Sequence, residues 1–246
     1  MDRPNLVFIL TDDQGAWALG RETPEIITPN LDRLAEEGTY FSNFFCASPV
    51  CSPARCSLAT GRLPSAHGVH DWLRSGNVAK SALPEEMRAA FPEDDKAVDF
   101  LAGMPTCYDA LREAGYRMGF VGKWHMGDSM HPREGFDEWT VLLRGGCAYR
   151  HPDVMIDGKP QFLDRYVTDF FTERAVSFID RHPAEPFSLH VHYTAPHTPW
   201  GHEQHREDIL RLYDDCPFAC HPFQPLHPDQ VATCEVGTRR IAENTS

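Results

Sequence analysis

NLVFILT, residues 5–11, is a short apolar run with no polar alternation. At strand length and with apolar side chains on both faces, it suits a buried strand of a parallel sheet. TPNLDRLAEEGTYF (28–41) follows closely. Thr28 stands where a helix is capped, Pro29 takes the first helical position, Leu31 and Leu34 share one side, and Gly38 stops the turn. TYFSNFF (39–45) then reads as a second strand. Strand, capped helix and strand make a βαβ unit, whose crossover places the two strands parallel.

The rhythm returns further along. TCYDALREAGY (106–116) reads as a helix capped by Thr106 with Gly115 near its end, and RMGFVGKW (117–124) as the strand after it. DRYVTDFFTERAVSFIDRH (164–182) has the spacing of an amphipathic helix, and PFSLHVHYTAP (186–196) that of another strand. Residues 72–105 are polar and irregular and are expected at the surface. Residues 201–246 are largely irregular too, with the Pro-rich CPFACHPFQPLHP (216–228) among them. The expectation is an α/β fold: one domain over 1–246, with a parallel-rich central sheet flanked by helices. Its site is expected at the C-terminal ends of the strands.

Composition narrows the partners. The 246 residues are 41% hydrophobic and 24% charged, which is ordinary for a globular chain, and the formal net charge is −13. That charge argues against nucleic acid and membrane surfaces as general partners. A few local cations or a metal would still reverse the field inside one cleft. No apolar run reaches bilayer length. The N-terminus has no basic region and no small-residue cleavage site, so the expected location is cytoplasmic and the eight cysteines are expected to be reduced.

Chemistry-bearing residues gather at the expected element ends. Asp12 and Asp13 close the first strand; two adjacent carboxylates there fit either a cation site or a solvated turn. CASPVCSPARCSLATGRLP (46–64) carries three cysteines five apart, too widely and evenly spaced for a structural zinc site. A helix from Pro53 to Gly61 would put Cys51 at its N-terminus, where free N–H groups favour anions, with Arg55 one turn on. That is the setting of a reactive thiol, whereas Cys46 and Cys56 read as packing residues. Lys123 and His125 lie just past one strand, on the opposite side from Trp124, and His197 lies just past another. Each histidine alone is as well explained by structure; together they mark a site. His190 and His192 share a strand face and read as polar positions on a half-covered strand. Cys216, Cys220, His221 and His227 have spacing too irregular for a zinc knuckle, and the sequon NTS at 244–246 carries no weight without an export signal.

CSPARCSLATG (51–61) resembles the signature of the formylglycine-dependent type I sulfatases, of the alkaline-phosphatase-like superfamily. Cys51, Pro53, Arg55, Thr60 and Gly61 are in place, and Ala54 replaces the commonest serine. ILTDDQG, GKWHMG and TAPHTPW resemble sulfatase segments and come in the expected order. The resemblance implies that Cys51 is oxidised to formylglycine by a maturation enzyme. A hydroxyl of the hydrated aldehyde would then attack sulfur, and deprotonation of the other would expel sulfate by C–O cleavage. It also implies that Asp12, Asp13 and the modified Cys51 hold a divalent cation, most often Ca2+. Arg55 would orient the hydrate, Lys123 bind a sulfate oxygen, His125 act as base, and His197 contact the sulfate and help protonate the leaving oxygen.

The implied activity is hydrolysis of sulfate esters or sulfamates, with a sulfated small molecule or glycan as substrate. His67, His70, Asp71, Trp72 and Arg74 line either a sugar subsite or a packed turn. The family carries a later Asp-Asn or Asp-His metal pair and a further lysine, for which Asp214 and Asp215 are poor substitutes. The expectation is therefore an N-terminal portion of a sulfatase. A phosphonate or phosphodiester hydrolase of the same superfamily, or an inactive fragment, are the alternatives.

Overall fold

A computed structural model describes residues 3–182 and 184–220. Its strands are β1 (Leu6–Leu10), β2 (Arg117–Gly122), β3 (Phe136–Leu142), β4 (Asp153–Ile156), β5 (Lys159–Phe162) and β6 (Phe187–His192). The helices are α1 (Pro29–Glu37), α2 (Cys51–Thr60), α3 (Pro64–His67), α4 (Glu85–Arg88), α5 (Cys107–Glu113), α6 (Val167–Arg181) and α7 (Glu207–Leu210). The strands form one sheet in the order β1-β6-β2-β3-β4-β5. The first three pairings are parallel and the last two antiparallel. The chain divides into two compact units, residues 1–13 with 44–196, and residues 14–43 with 197–246.

The first unit holds the sheet. Alternation along β2 sends Phe120 into a core with Tyr108, Trp124 and Trp139, and Val121 into a second core with Phe171 and Phe178 of α6. Helix α5 is closed by a capping box: the Thr106 hydroxyl accepts the Asp109 N–H and the Asp109 carboxylate accepts the Thr106 N–H. Positions α1, α2, α5, α6, β1, β2 and β6 match the expected elements. The mixed sheet with flanking helices is the expected class, with its parallel part on the β1 side.

Several expectations give way. β1 lies at the sheet edge, and its side chains are exposed, Ile9 at 58%. A run apolar on both faces predicts cover on both, and the described residues do not provide it. Residues 39–45 form no strand; Ser42 and Asn43 make a turn, as their side-chain chemistry favours, and leave Phe44 and Phe45 about 80% exposed. Residues 72–105 are irregular as expected, yet Val78, Leu83, Met87, Phe91 and Leu101 are buried in the first core. Their apolar residues lack a period because single helical turns and loops carry them inward. β6 is buried along its whole length, not half-covered, because Phe187, Leu189 and Val191 pack on one face with Phe171 and Phe178, and His190 on the other meets Tyr108 and Phe120.

Strands β3 to β5 lie outside the expected set. The signal for the last two is Asp157-Gly158, a two-residue hairpin turn with both φ positive (49° and 75°).

In the second unit, the Tyr213 hydroxyl accepts the Ile27 N–H (3.0 Å) and the Glu25 carboxylate accepts the N–H groups of Ala219 and Cys220 (2.8 Å each). Helix α1 buries no residue, and Leu31 and Leu34 face solvent. Thr28 does not cap it; its hydroxyl accepts the Gly20 N–H (2.7 Å) instead. His221, His227 and the sequon at 244–246 lie outside the described residues.

Candidate active site

The parallel strands of the first unit end together. The Tyr193 N–H donates to the Leu10 carbonyl (2.8 Å) and the Asp12 N–H to the Ala195 carbonyl (3.1 Å), so the chain after β1 stays tied to the chain after β6. Gly122 (φ 115°) closes β2 so tightly on β6 that a Cβ would overlap the His192 carbonyl. Only glycine permits this approach. It lets the Lys123 N–H reach that carbonyl at 2.7 Å.

Three charges meet at this end. Asp12 is buried, Lys123 wholly so, and the Lys123 ammonium donates to Asp12 Oδ2. Arg55, also buried, lies 3.4 Å from the same oxygen, donates to the Lys123 carbonyl (2.7 Å), and approaches His192 Nδ1 at 3.1 Å. Burial pushes the Arg55 pKa down, and the charges of Asp12 and Cys51 oppose that push. Two cations gather round the Asp12 carboxylate at this pole, in a chain that is acidic overall.

Helix α2 brings Cys51 here. It starts at Cys51, two residues earlier than expected, and ends at Gly61 in the left-handed conformation. Cys51 is half-buried, on the first turn whose N–H groups have no intrahelical partner. Cys56 is fully buried and its thiol is pushed up to about 12 by burial, which fits a packing residue. Cys46 is exposed in a loop, not at a strand end.

His125 is buried with a positive φ of 49°. Its Nε2 donates to the Leu73 carbonyl (3.0 Å), so the neutral ring presents Nδ1 as an acceptor, and that atom is buried without a hydrogen-bond partner. Burial first, then the Lys123 charge, pushes its pKa down to about 3. The ring lies against Gly145, where any Cβ would overlap it, and Trp72 meets it edge-on at 6.3 Å.

Asp12, Arg55, Lys123 and His125 lie near one another, with Cys51 at the start of the helix that carries Arg55. Asp13 is exposed next to them with a positive φ of 63°. His197 belongs to the other unit, where its Nδ1 donates to the Thr198 carbonyl (2.8 Å). His67 is a packed residue that donates from Nε2 to Ser57 Oγ (3.0 Å) and accepts the Val69 N–H. His192, Gly122 and Gly145 lie at the site as well; Gly122 opens GKWHMG, whereas His192 and Gly145 stand outside the quoted motifs.

Asp12 and Asp13 have the oxygen-donor chemistry a hard divalent cation takes, and Asp12 already draws two cations. Among the described residues, no group of three or more His, Cys, Asp or Glu side chains could hold a metal ion. The residues present fit part of a cation site.

The parallel strands of a mixed α/β sheet end at a buried cluster of Arg55, Lys123 and Asp12, beside the helix that begins at Cys51. The sequence model of the sulfatase family matches residues 4–219, and the chain belongs to that family. An N-acetylglucosamine-6-O-sulfatase of Bacteroides thetaiotaomicron is 30% identical over 80% of this chain and 31% of its own length. The N-acetylgalactosamine-6-sulfatase of Homo sapiens is 32% identical over 80% of this chain and 40% of its own length. A protein solved with its substrate D-glucosamine-2-N,6-O-disulfate is 29% identical with a TM-score of 0.64, covering 81% of this chain and 36% of that one. The chain spans about a third of the length of these relatives.

Proposed function

We propose that this chain carries the nucleophile end of a hydrolase of sulfate esters on carbohydrates, with Cys51 as the precursor of a formylglycine nucleophile. The observation that supports it is the convergence of Arg55, Lys123 and Asp12 beside the first turn of the helix that begins at Cys51. The relatives named for N-acetylhexosamine 6-sulfates support a sulfated sugar as substrate.

Each residue has a task that its geometry allows. Lys123 and Arg55 bind and orient the sulfate oxygens and spread the charge that grows as sulfur is attacked. The free N–H groups of the first α2 turn add to that field. His125, neutral with an unpartnered Nδ1, takes a proton at that atom while Leu73 holds the opposite edge of the ring. An anion held by Lys123 raises the basicity of this imidazole from its depressed resting value. His197 is proposed to donate the proton to the departing alcohol oxygen. Asp12 and Asp13 would hold the divalent cation, which when bound neutralises sulfate and nucleophile charge.

Peptide mass spectrometry of the chain from a host with the maturation enzyme should show Cys51 converted from thiol to aldehyde. Turnover of an aryl sulfate should follow that conversion and vanish in Cys51→Ala. An unmodified thiol in that host counts against the reading, and turnover of an aryl phosphodiester alone assigns the site to phosphoryl esters. Conversion without turnover assigns this span a binding role that needs the rest of a full-length relative.

A further inference from the structure

A cavity of about 410 Å³ adjoins His125, within the size range of ligand sites. Trp72, Leu73, Phe91, Arg144 and Gly145 lie on its wall. Three of these are the residues that support the His125 ring: Leu73 through its carbonyl, Trp72 edge-on, and Gly145 beneath it. The cavity and the proposed base therefore share a wall.

Two features of the lining suit a sugar. Trp72 is 49% exposed, and its indole can pack against the apolar face of a pyranose. Glu93 is an exposed carboxylate that can accept sugar hydroxyls; Asp94 is buried and spent on the Asn77 N–H (3.1 Å). The Asn77 side-chain oxygen is buried without a partner on the same wall.

Arg144 points to what else the sugar carries. Its Nε and Nη2 donate to Asp153 Oδ1 (3.1 and 2.9 Å), its Nη1 donates to the Ala90 carbonyl (2.7 Å), and its guanidinium lies over the Phe91 ring at 4.6 Å. The fork is thus fixed before any ligand arrives. Of the five N–H donors of a guanidinium, one on Nη1 and one on Nη2 remain, and 38% of the side chain is exposed. Two N–H groups on a guanidinium held rigid remain to donate to a carboxylate or sulfate.

We infer that this cavity is a saccharide subsite in which Arg144, positioned by Asp153, reads a second anionic group on a sugar whose scissile sulfate lies at Lys123 and His125. The location of the scissile sulfate rests on the proposed sulfate-ester reading; the subsite itself does not.

Calorimetric titration of the chain with three ligands tests it: N-acetylglucosamine 6-sulfate, glucosamine-2-N,6-O-disulfate, and a 6-sulfated hexosamine joined to a uronate. The doubly charged ligands should bind about tenfold more tightly than the first. Whether the advantage appears with the sulfate, the carboxylate or both identifies the group read. The double variant Arg144→Gln/Asp153→Asn, which removes both charges of the pair together and whose fold is checked by circular dichroism, should lose that advantage while binding the first ligand within about twofold of the parent. Arg144→Lys, which keeps the charge but not the fork, should recover only part of it. Trp72→Ala should weaken all three. An advantage that survives the double variant, equal loss for all three ligands, or no binding by the parent chain overturns the inference. Aryl sulfate turnover measured in parallel separates the two readings: its absence with Arg144-dependent binding intact sinks the sulfate-ester reading alone.

Discussion

Asp12 is the residue on which the buried charges of the site depend. Removing it leaves the Lys123 ammonium and the Arg55 guanidinium buried without their counter-charge, so Asp12→Ala should cost about 3–5 kcal/mol, read as a lower urea midpoint. An unchanged midpoint would mean that water already satisfies both cations. Gly145 should be equally intolerant for a steric reason. Gly145→Ala drives a methyl into the His125 ring and should lower the melting temperature. Gly61→Ala meets no neighbouring atom and suffers only its left-handed backbone, so about 1 kcal/mol is expected. Asp12, Cys51, Arg55, Lys123 and His125 were legible in the sequence because each stands at an element end with a side chain that needs a reason to be there. Gly145 and His192 were not. One contributes an absent side chain and the other a ring on an apolar strand, and both gain meaning only from a neighbour far along the chain.

Elements with local signals were the easiest to read. Helix α5 announces itself by Thr106 and Asp109, and its capping box makes a quantitative expectation possible. Thr106→Ala should cost about 1 kcal/mol in equilibrium unfolding, with an unchanged denaturant slope. Thr28→Ala should not unravel α1 in this way, because the Thr28 hydroxyl serves Gly20 and not a helical N–H. The error at 39–45 has the opposite cause. Aromatic content favours a strand, but a strand needs a neighbour to pair with, and the turn at Ser42 and Asn43 ends the segment first. The burial of 72–105 was hidden because its apolar residues follow the shape of a loop and no repeat.

The whole first unit should be acid-sensitive. Burial depresses His125 to about 3 and His190 to about 4, and drives His192 well below its ordinary 6.5. Below pH 6.5 the unfolded chain binds protons that the folded chain refuses. The stability these rings contribute is therefore complete above 6.5 and is lost as pH falls toward 4, at up to about 1.4 kcal/mol per pH unit for each ring. Scanning calorimetry should show the melting temperature falling between about pH 7 and pH 5; a flat profile there would mean the rings are hydrated. The sheet order carries a further consequence, one of timing. Among the described residues β1 pairs with β6 alone, so the strand that precedes Asp12 has no partner until residues 187–192 exist. A ribosome adding about 5–20 residues per second takes on the order of ten seconds to travel from Cys51 to β6. For the later part of that interval the segment around Cys51 has left the synthetic machinery while the sheet is still incomplete. The proposed conversion of Cys51 would have its opportunity then, before Arg55 is buried against Asp12.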